Sequence, residues 1–162
     1  MRNFKPPEII RPILERYLRE LFNRYGERVL SVALFGSFAR GDYKPNSDID
    51  LLLIIRGYKW SESLSFEPVE KLVLELWRRS GHYHRVSPYP LTPEQASVHR
   101  PIYLDLVEDG IILFDREGFL GRILDEIRAR LKQLGALRRE LPNGSRYWIL
   151  KPVVREGEVF EI

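Results

Sequence analysis

The chain has 162 residues, 44% of them apolar and 30% charged, with a net charge of +3, as suits one compact domain or one domain with a small extension. It contains no cysteine, which excludes disulfides and thiolate metal sites. The opening MRNFKPPEII lacks the apolar core of a signal peptide and no stretch approaches the ~20 apolar residues that span a bilayer, so a cytoplasmic protein with no membrane partner is expected.

The first predicted element is a helix in PPEIIRPILERYLRELFNRYG. Ile9, Ile10, Ile13, Leu14, Tyr17, Leu18, Leu21 and Phe22 follow helical spacing, Pro12 falls in the first turn and Gly26 ends the run. RVLSVALFG reads as a buried strand, SFARGDYKPNS as a turn, and DIDLLLIIRG as a second buried strand expected to pair with the first. SFEPVEKLVLELWRRSG predicts a helix with a capping box near Ser65 and one apolar face of Val69, Leu72, Val73, Leu76 and Trp77. HYHRVSPYPLT is a weaker strand whose prolines place it at an edge. TPEQASVHRPIYLDLVEDG carries a helix start at Thr92 and a short helix ending at Gly110, and IILFD is one more short strand. REGFLGRILDEIRARLKQLG is an amphipathic helix lined by Phe119, Leu120, Ile123, Leu124, Ile127, Leu131 and Leu134. The tail SRYWILKPVVREGEVFEI has β character, as an edge strand or a wrap around the domain. A soft boundary near Arg116 divides residues 1–115 from a basic extension, 116–162.

The chemistry concentrates in FGSFARGDYKPNSDIDLLLII. Side chains alternate along a strand, so Asp48 and Asp50 point the same way while Ile49 points into the core. Two carboxylates ~4 Å apart repel by roughly 4 kcal/mol at an effective dielectric of 20. A cation between them answers that cost, and Mg²⁺, which shares oxygen ligands with substrate phosphates, is the obvious candidate. Gly36 lets a ligand approach the backbone, and the N–H groups of the following turn, with the Ser37 hydroxyl, suit a phosphate. A phosphate cradle beside a metal cradle fits phosphoryl or nucleotidyl transfer by in-line displacement. Alone, an Asp-x-Asp pair would favour a solvated turn and a capped strand start.

GSFARGDYKPNSDIDLLLI resembles the GS-x10-D-x-D signature of the minimal nucleotidyltransferases in the DNA polymerase β superfamily, with Gly36, Ser37, Arg40, Gly41, Ser47, Asp48 and Asp50 in register. The resemblance implies an α/β (α+β) fold, a nucleotidyltransferase-like mixed sheet flanked by helices. It implies metal ligation by Asp48 and Asp50 and binding of the β- and γ-phosphates of a nucleoside triphosphate by Gly36 and Ser37. Arg40 would meet phosphate charge and Ser47 would cap or orient the turn. Family members usually carry a third carboxylate that activates the attacking hydroxyl. Its expected place, YHRVSPYPL, holds no Asp or Glu, and Ser87 or His84 stands roughly where the acid would be. Asp105 is the nearest later acid with an apolar setting, on a predicted helix, and is the candidate third catalytic carboxylate.

The leading function is thus Mg²⁺-dependent transfer of a nucleoside monophosphate, AMP by preference, to an acceptor hydroxyl with release of pyrophosphate. The alternative implied by the resemblance is an antitoxin-like binding module that neutralises a helical partner of the HEPN fold. His82 and His84, two apart, are a minor candidate for a shared metal, and His99 reads as a surface residue. Arg122, Arg128, Arg130, Lys132, Arg138 and Arg139 offer a possible but unfavoured nucleic-acid surface, with Tyr147 and Trp148 as stacking candidates. A solvated helix face and a tail packed on the core are the plainer readings.

Overall fold

Two continuous apolar runs set the architecture, because a strand buried on both faces needs helices on both sides. In the computed structural model, which describes residues 6–142, 144 and 146–154, these runs are Val29–Phe35 (β1) and Ile49–Ile55 (β2). They pair antiparallel, with Phe35 opposite Asp50. Val86–Leu91 (β3) lies parallel to β2, and Ile111–Asp115 (β4) lies antiparallel to β1. The order β3-β2-β1-β4 gives one mixed four-stranded sheet with β3 at an edge.

One face is covered by Arg11–Tyr25 (α1) and Glu67–Ser80 (α3), whose Ile13, Tyr17, Leu21, Val69 and Val73 pack on Ile49, Leu51, Leu53 and Ile55. The other is covered by Ile102–Asp109 (α5) and Phe119–Leu134 (α6), whose Tyr103, Leu106, Leu120, Leu124 and Ile127 pack on Leu52 and Ile54. Every residue of β2 except Asp50 is buried. Asp115 ties the sheet to α6: its carboxylate accepts from the buried Ser31 hydroxyl at 2.6 Å and from the Leu120 and Gly121 amides at 2.9 Å.

Three local readings differ from the sequence expectation, and the tail follows one of the two courses that the sequence left open. The turn after β1 begins with a short helix, Gly36–Arg40 (α2), ended by Gly41 in the left-handed region at φ 83°. The Thr92 start caps only one turn, Pro93–Ala96 (α4), through a Thr92–Gln95 capping box, and α5 is a separate helix beginning after Pro101. Ser65 does not cap α3, whose N-cap is Phe66; its hydroxyl donates to Glu70 instead at 3.1 Å. Finally, Arg146–Ile149 (β6) joins no edge of the main sheet. It pairs with Leu137–Glu140 (β5) in a separate hairpin, because Trp148 on one side of that ribbon packs against the α5–α6 core. The tail beyond residue 154 lies outside the described residues.

Among the described residues, no helix is long and apolar enough to cross a membrane.

Candidate active site

The site lies where β1 and β2 end together. Phe35 pairs with Asp50, so Gly36 follows directly beside the Asp50 carboxylate. Gly36 sits at φ +70°, and a Cβ built there would stand 2.2 Å from Asp50 Oδ2 and 3.1 Å from its Cγ. Only glycine satisfies both the left-handed backbone and that approach. The glycine bend and the second acid of the Asp-x-Asp pair thus occupy one place. Ser37 begins the body of α2, and no side chain caps this helix's first turn.

Asp48 and Asp50 share the strand parity of Leu52 and Ile54 and so lie on the α5–α6 side of the sheet. Their environments differ. Asp50 is half-buried between β1 and β3. Burial first, and the charge of Asp48 second, push its carboxyl above the ordinary value; a hydrogen bond from the Ser87 hydroxyl and the charge of Arg40 act the other way. Asp48 is more open and is met by Arg85, whose Nε lies 3.3 Å from both carboxylate oxygens and whose second terminal nitrogen lies 3.3 Å from Oδ2. The backbone fixes this meeting, since the Ile49 amide donates to the Arg85 carbonyl at 2.8 Å.

The other candidates fall around this pair. Arg40 donates to Asp42 at 3.1 Å while its charge reaches Asp50. Ser47 accepts the Lys44 amide at 2.8 Å and so closes the turn that delivers Asp48. Its carbonyl meets Nδ1 of His84 at 2.9 Å. Ser87 stands directly opposite Asp50 in the parallel β2–β3 register. Asp105 is exposed on α5, and its charge acts on Arg138 of β5. The His82 and His84 rings are 6.0 Å apart, and among the described residues no three His, Cys, Asp or Glu side chains gather as a metal site. Of the basic residues on and after α6, Arg128 is paired with Asp125 at 2.7 Å and Arg138 with Asp109.

Arg85 is the neighbour of the candidate pair that the sequence did not point to. Its signal was present, one position ahead of a strand that follows a helix. It becomes legible only once β3 is known to run parallel to β2, which brings Arg85 beside Asp48 rather than to the far end of the sheet.

A family model for the nucleotidyltransferase domain matches residues 13–128. A protein of Methanocaldococcus jannaschii named as a protein adenylyltransferase is 27% identical over 129 residues, 78% of this chain and 86% of its own length. A second of that organism, named likewise, is 39% identical over 61 residues, 38% of this chain and 66% of its own. Among solved structures, a chain from a complex of a tri-AMPylated Shewanella oneidensis HEPN toxin with an MNT antitoxin aligns over 76% of this chain and 92% of its own, at 14% identity and a TM-score of 0.37. A Sulfolobus solfataricus chain named as a nucleotidyltransferase aligns over 71% and 94%, at 23% identity and a TM-score of 0.38. With 116 of its residues inside the matched segment, the chain belongs to the nucleotidyltransferase domain family, and the resemblance read from its GS-x10-D-x-D segment is borne out.

Proposed function

We propose that this nucleotidyltransferase is Mg²⁺-dependent and moves AMP from ATP to an acceptor hydroxyl, the acceptor oxygen bonding to the α-phosphorus as pyrophosphate leaves. The observation that carries the reading is the convergence of Gly36 on Asp50. It brings a backbone able to approach phosphate oxygens against a carboxylate whose charge is disfavoured in the absence of a cation. The adenylyltransferase names of the relatives favour AMP as the group moved and a protein as acceptor.

In this reading Asp48 and Asp50 hold the metal, which screens their repulsion and polarises the phosphates. The donor set fits a hard cation: the two carboxylates of the Asp-x-Asp segment at the start of β2 would supply oxygen ligands, which Mg²⁺ shares with substrate phosphates. Gly36 and Ser37 hold the β- and γ-phosphates. Arg40 exchanges Asp42 for phosphate charge, and Ser47 keeps the turn in shape. Ser87 orients Asp50 but cannot take a proton as a carboxylate would. Asp105, on α5, is the remaining acid for the role of base.

The test is calorimetry with ATP and Mg²⁺. The native chain is expected to bind and Asp50→Ala to lose binding; equal binding by both overturns the assignment.

Ser87 opposite Asp50 also favours a second reading, a module that neutralises a HEPN-type helical partner by contact. A partner that co-purifies equally with Asp48→Ala and carries no nucleotide supports contact alone. An AMP adduct on the partner supports the enzyme.

A further inference from the structure

Among the described residues His84 and Ser31 are the two buried polar side chains, and His84 is 4% exposed. It stands just ahead of β3 and touches both halves of the candidate site. Its ring meets Phe38 edge-on, with centroids 5.0 Å apart. Phe38 is 1% exposed and follows Ser37 on α2. Phe38 also stacks on Tyr43, centroids 4.5 Å apart, at the start of the turn that leads to Asp48. At the far end of that turn the Ser47 carbonyl meets Nδ1 of His84 at 2.9 Å.

A carbonyl only accepts, so Nδ1 carries the proton. In the neutral ring Nε2 is then an acceptor, and it is buried without a hydrogen-bond partner. A phenylalanine would fill the same space with no unmet acceptor. What histidine adds is therefore the Nδ1–H, and that donor is aimed at the peptide before Asp48. The next peptide is held too, since the Ile49 amide donates to the Arg85 carbonyl at 2.8 Å. Both peptide units that flank Asp48 are thus moored to the adjacent residues His84 and Arg85. Peptide units are planar, so holding both fixes the direction in which the Asp48 side chain leaves the backbone.

We infer that His84 is a positioning residue for the transfer site. Its Nδ1–H sets the direction of Asp48 and its ring seats α2, so one buried side chain fixes the metal-binding acid relative to the phosphate cradle. It acts through Ser47 and Phe38 rather than on a reacting atom. The inference rests on the reading of Asp48 as a metal ligand.

Two substitutions separate the donor from the ring. His84→Phe keeps a ring against Phe38 and removes the donor. His84→Asn removes the ring and keeps a donor, its amide nitrogen standing as many bonds from Cα as Nδ1 does. In electron paramagnetic resonance titrations of the full chain, His84→Phe is expected to weaken Mn²⁺ binding by up to about tenfold, while melting within about 4 °C of the parent. His84→Asn leaves a cavity and is expected to melt lower, yet to keep its Mn²⁺ affinity within about twofold of the parent. A merely structural role reverses that order, with affinity following stability. Parental Mn²⁺ affinity in His84→Phe, or a greater loss in His84→Asn than in His84→Phe, overturns the inference. A His84→Phe chain that does not fold overturns it as well, since the donor would then serve the fold itself.

Failure of the metal reading shows separately, as Mn²⁺ binding that is absent from the native chain or equal in Asp50→Ala. Hydrogen exchange in the metal-free chain then decides. The Lys44 amide donates to the Ser47 hydroxyl and the Ser47 amide to the Lys44 carbonyl. Faster exchange of both amides in His84→Phe but not in His84→Asn supports the positioning role. Exchange that is unchanged in His84→Phe, or equally fast in His84→Asn, overturns it.

Discussion

Arg85 grips both carboxylate oxygens of Asp48 at 3.3 Å from the start of the neighbouring parallel strand. A cation bound by Asp48 must first displace that guanidinium. Both partners are exposed, and an exposed pair is worth about 0.2–1 kcal/mol. Arg85→Gln is therefore expected to tighten Mn²⁺ binding by up to about fivefold. Electron paramagnetic resonance titration of free Mn²⁺ reads this directly, and weaker binding by the variant would assign Arg85 a supporting role instead.

Gly36→Ala meets two obstacles, the φ of +70° and a methyl 2.2 Å from Asp50 Oδ2. The backbone strain alone is worth about 1–3 kcal/mol. Urea unfolding is expected to register that loss, and calorimetry the loss of ATP binding. A variant as stable as the parent with unchanged ATP affinity would refute the close approach.

Asp50 also sets a pH dependence. A carboxyl whose folded value is raised binds its proton more tightly in the native state. Its stabilising contribution is thus present below the ordinary carboxylate range and lost as pH rises through the raised value. With metal chelated, Asp50→Asn is expected to melt at higher temperature than the parent at neutral pH, the gap closing on acidification. Thermal melts across that range decide it; a gap that widens in acid would reverse the sign.

Ser87 occupies the partner position of Asp50 across β2–β3. If the transfer lacks a strand-borne base, Ser87→Asp restores one, and general-base catalysis is typically worth 10²–10⁴-fold. An increase in AMP transfer of at least about tenfold is expected with Ser87→Asp and none with Ser87→Asn, followed by release of radiolabelled pyrophosphate. Equal rates in both variants would leave Asp105 as the acid to substitute next.

The sequence carried the sheet's centre plainly, because β1 and β2 are apolar on both faces and the Gly-Ser and Asp-x-Asp residues sit at their adjoining ends. Local pattern also located α1, α3 and α6, each with an apolar face at helical spacing. What it could not carry was set by distant partners. LRRE of β5 has no apolar alternation and becomes a strand through its ladder with β6. Arg146 is only a basic residue in the chain, yet it lies 3.9 Å from both Asp42 and Asp109 and joins the terminal hairpin to the loop after α2. The direction of β3 is likewise a matter of crossover, and the meeting of Arg85 with Asp48 depends on it.

Pro88 and Pro90 bear on how this molecule associates. The Arg85 carbonyl faces β2, so the odd-numbered residues of β3 turn toward the sheet and both prolines turn outward. The outer rim of β3 therefore lacks amide hydrogens at two successive sites where an incoming strand would need them. Lengthening of the sheet from that rim is blocked, which leaves β4 as the edge of this sheet where another strand could add.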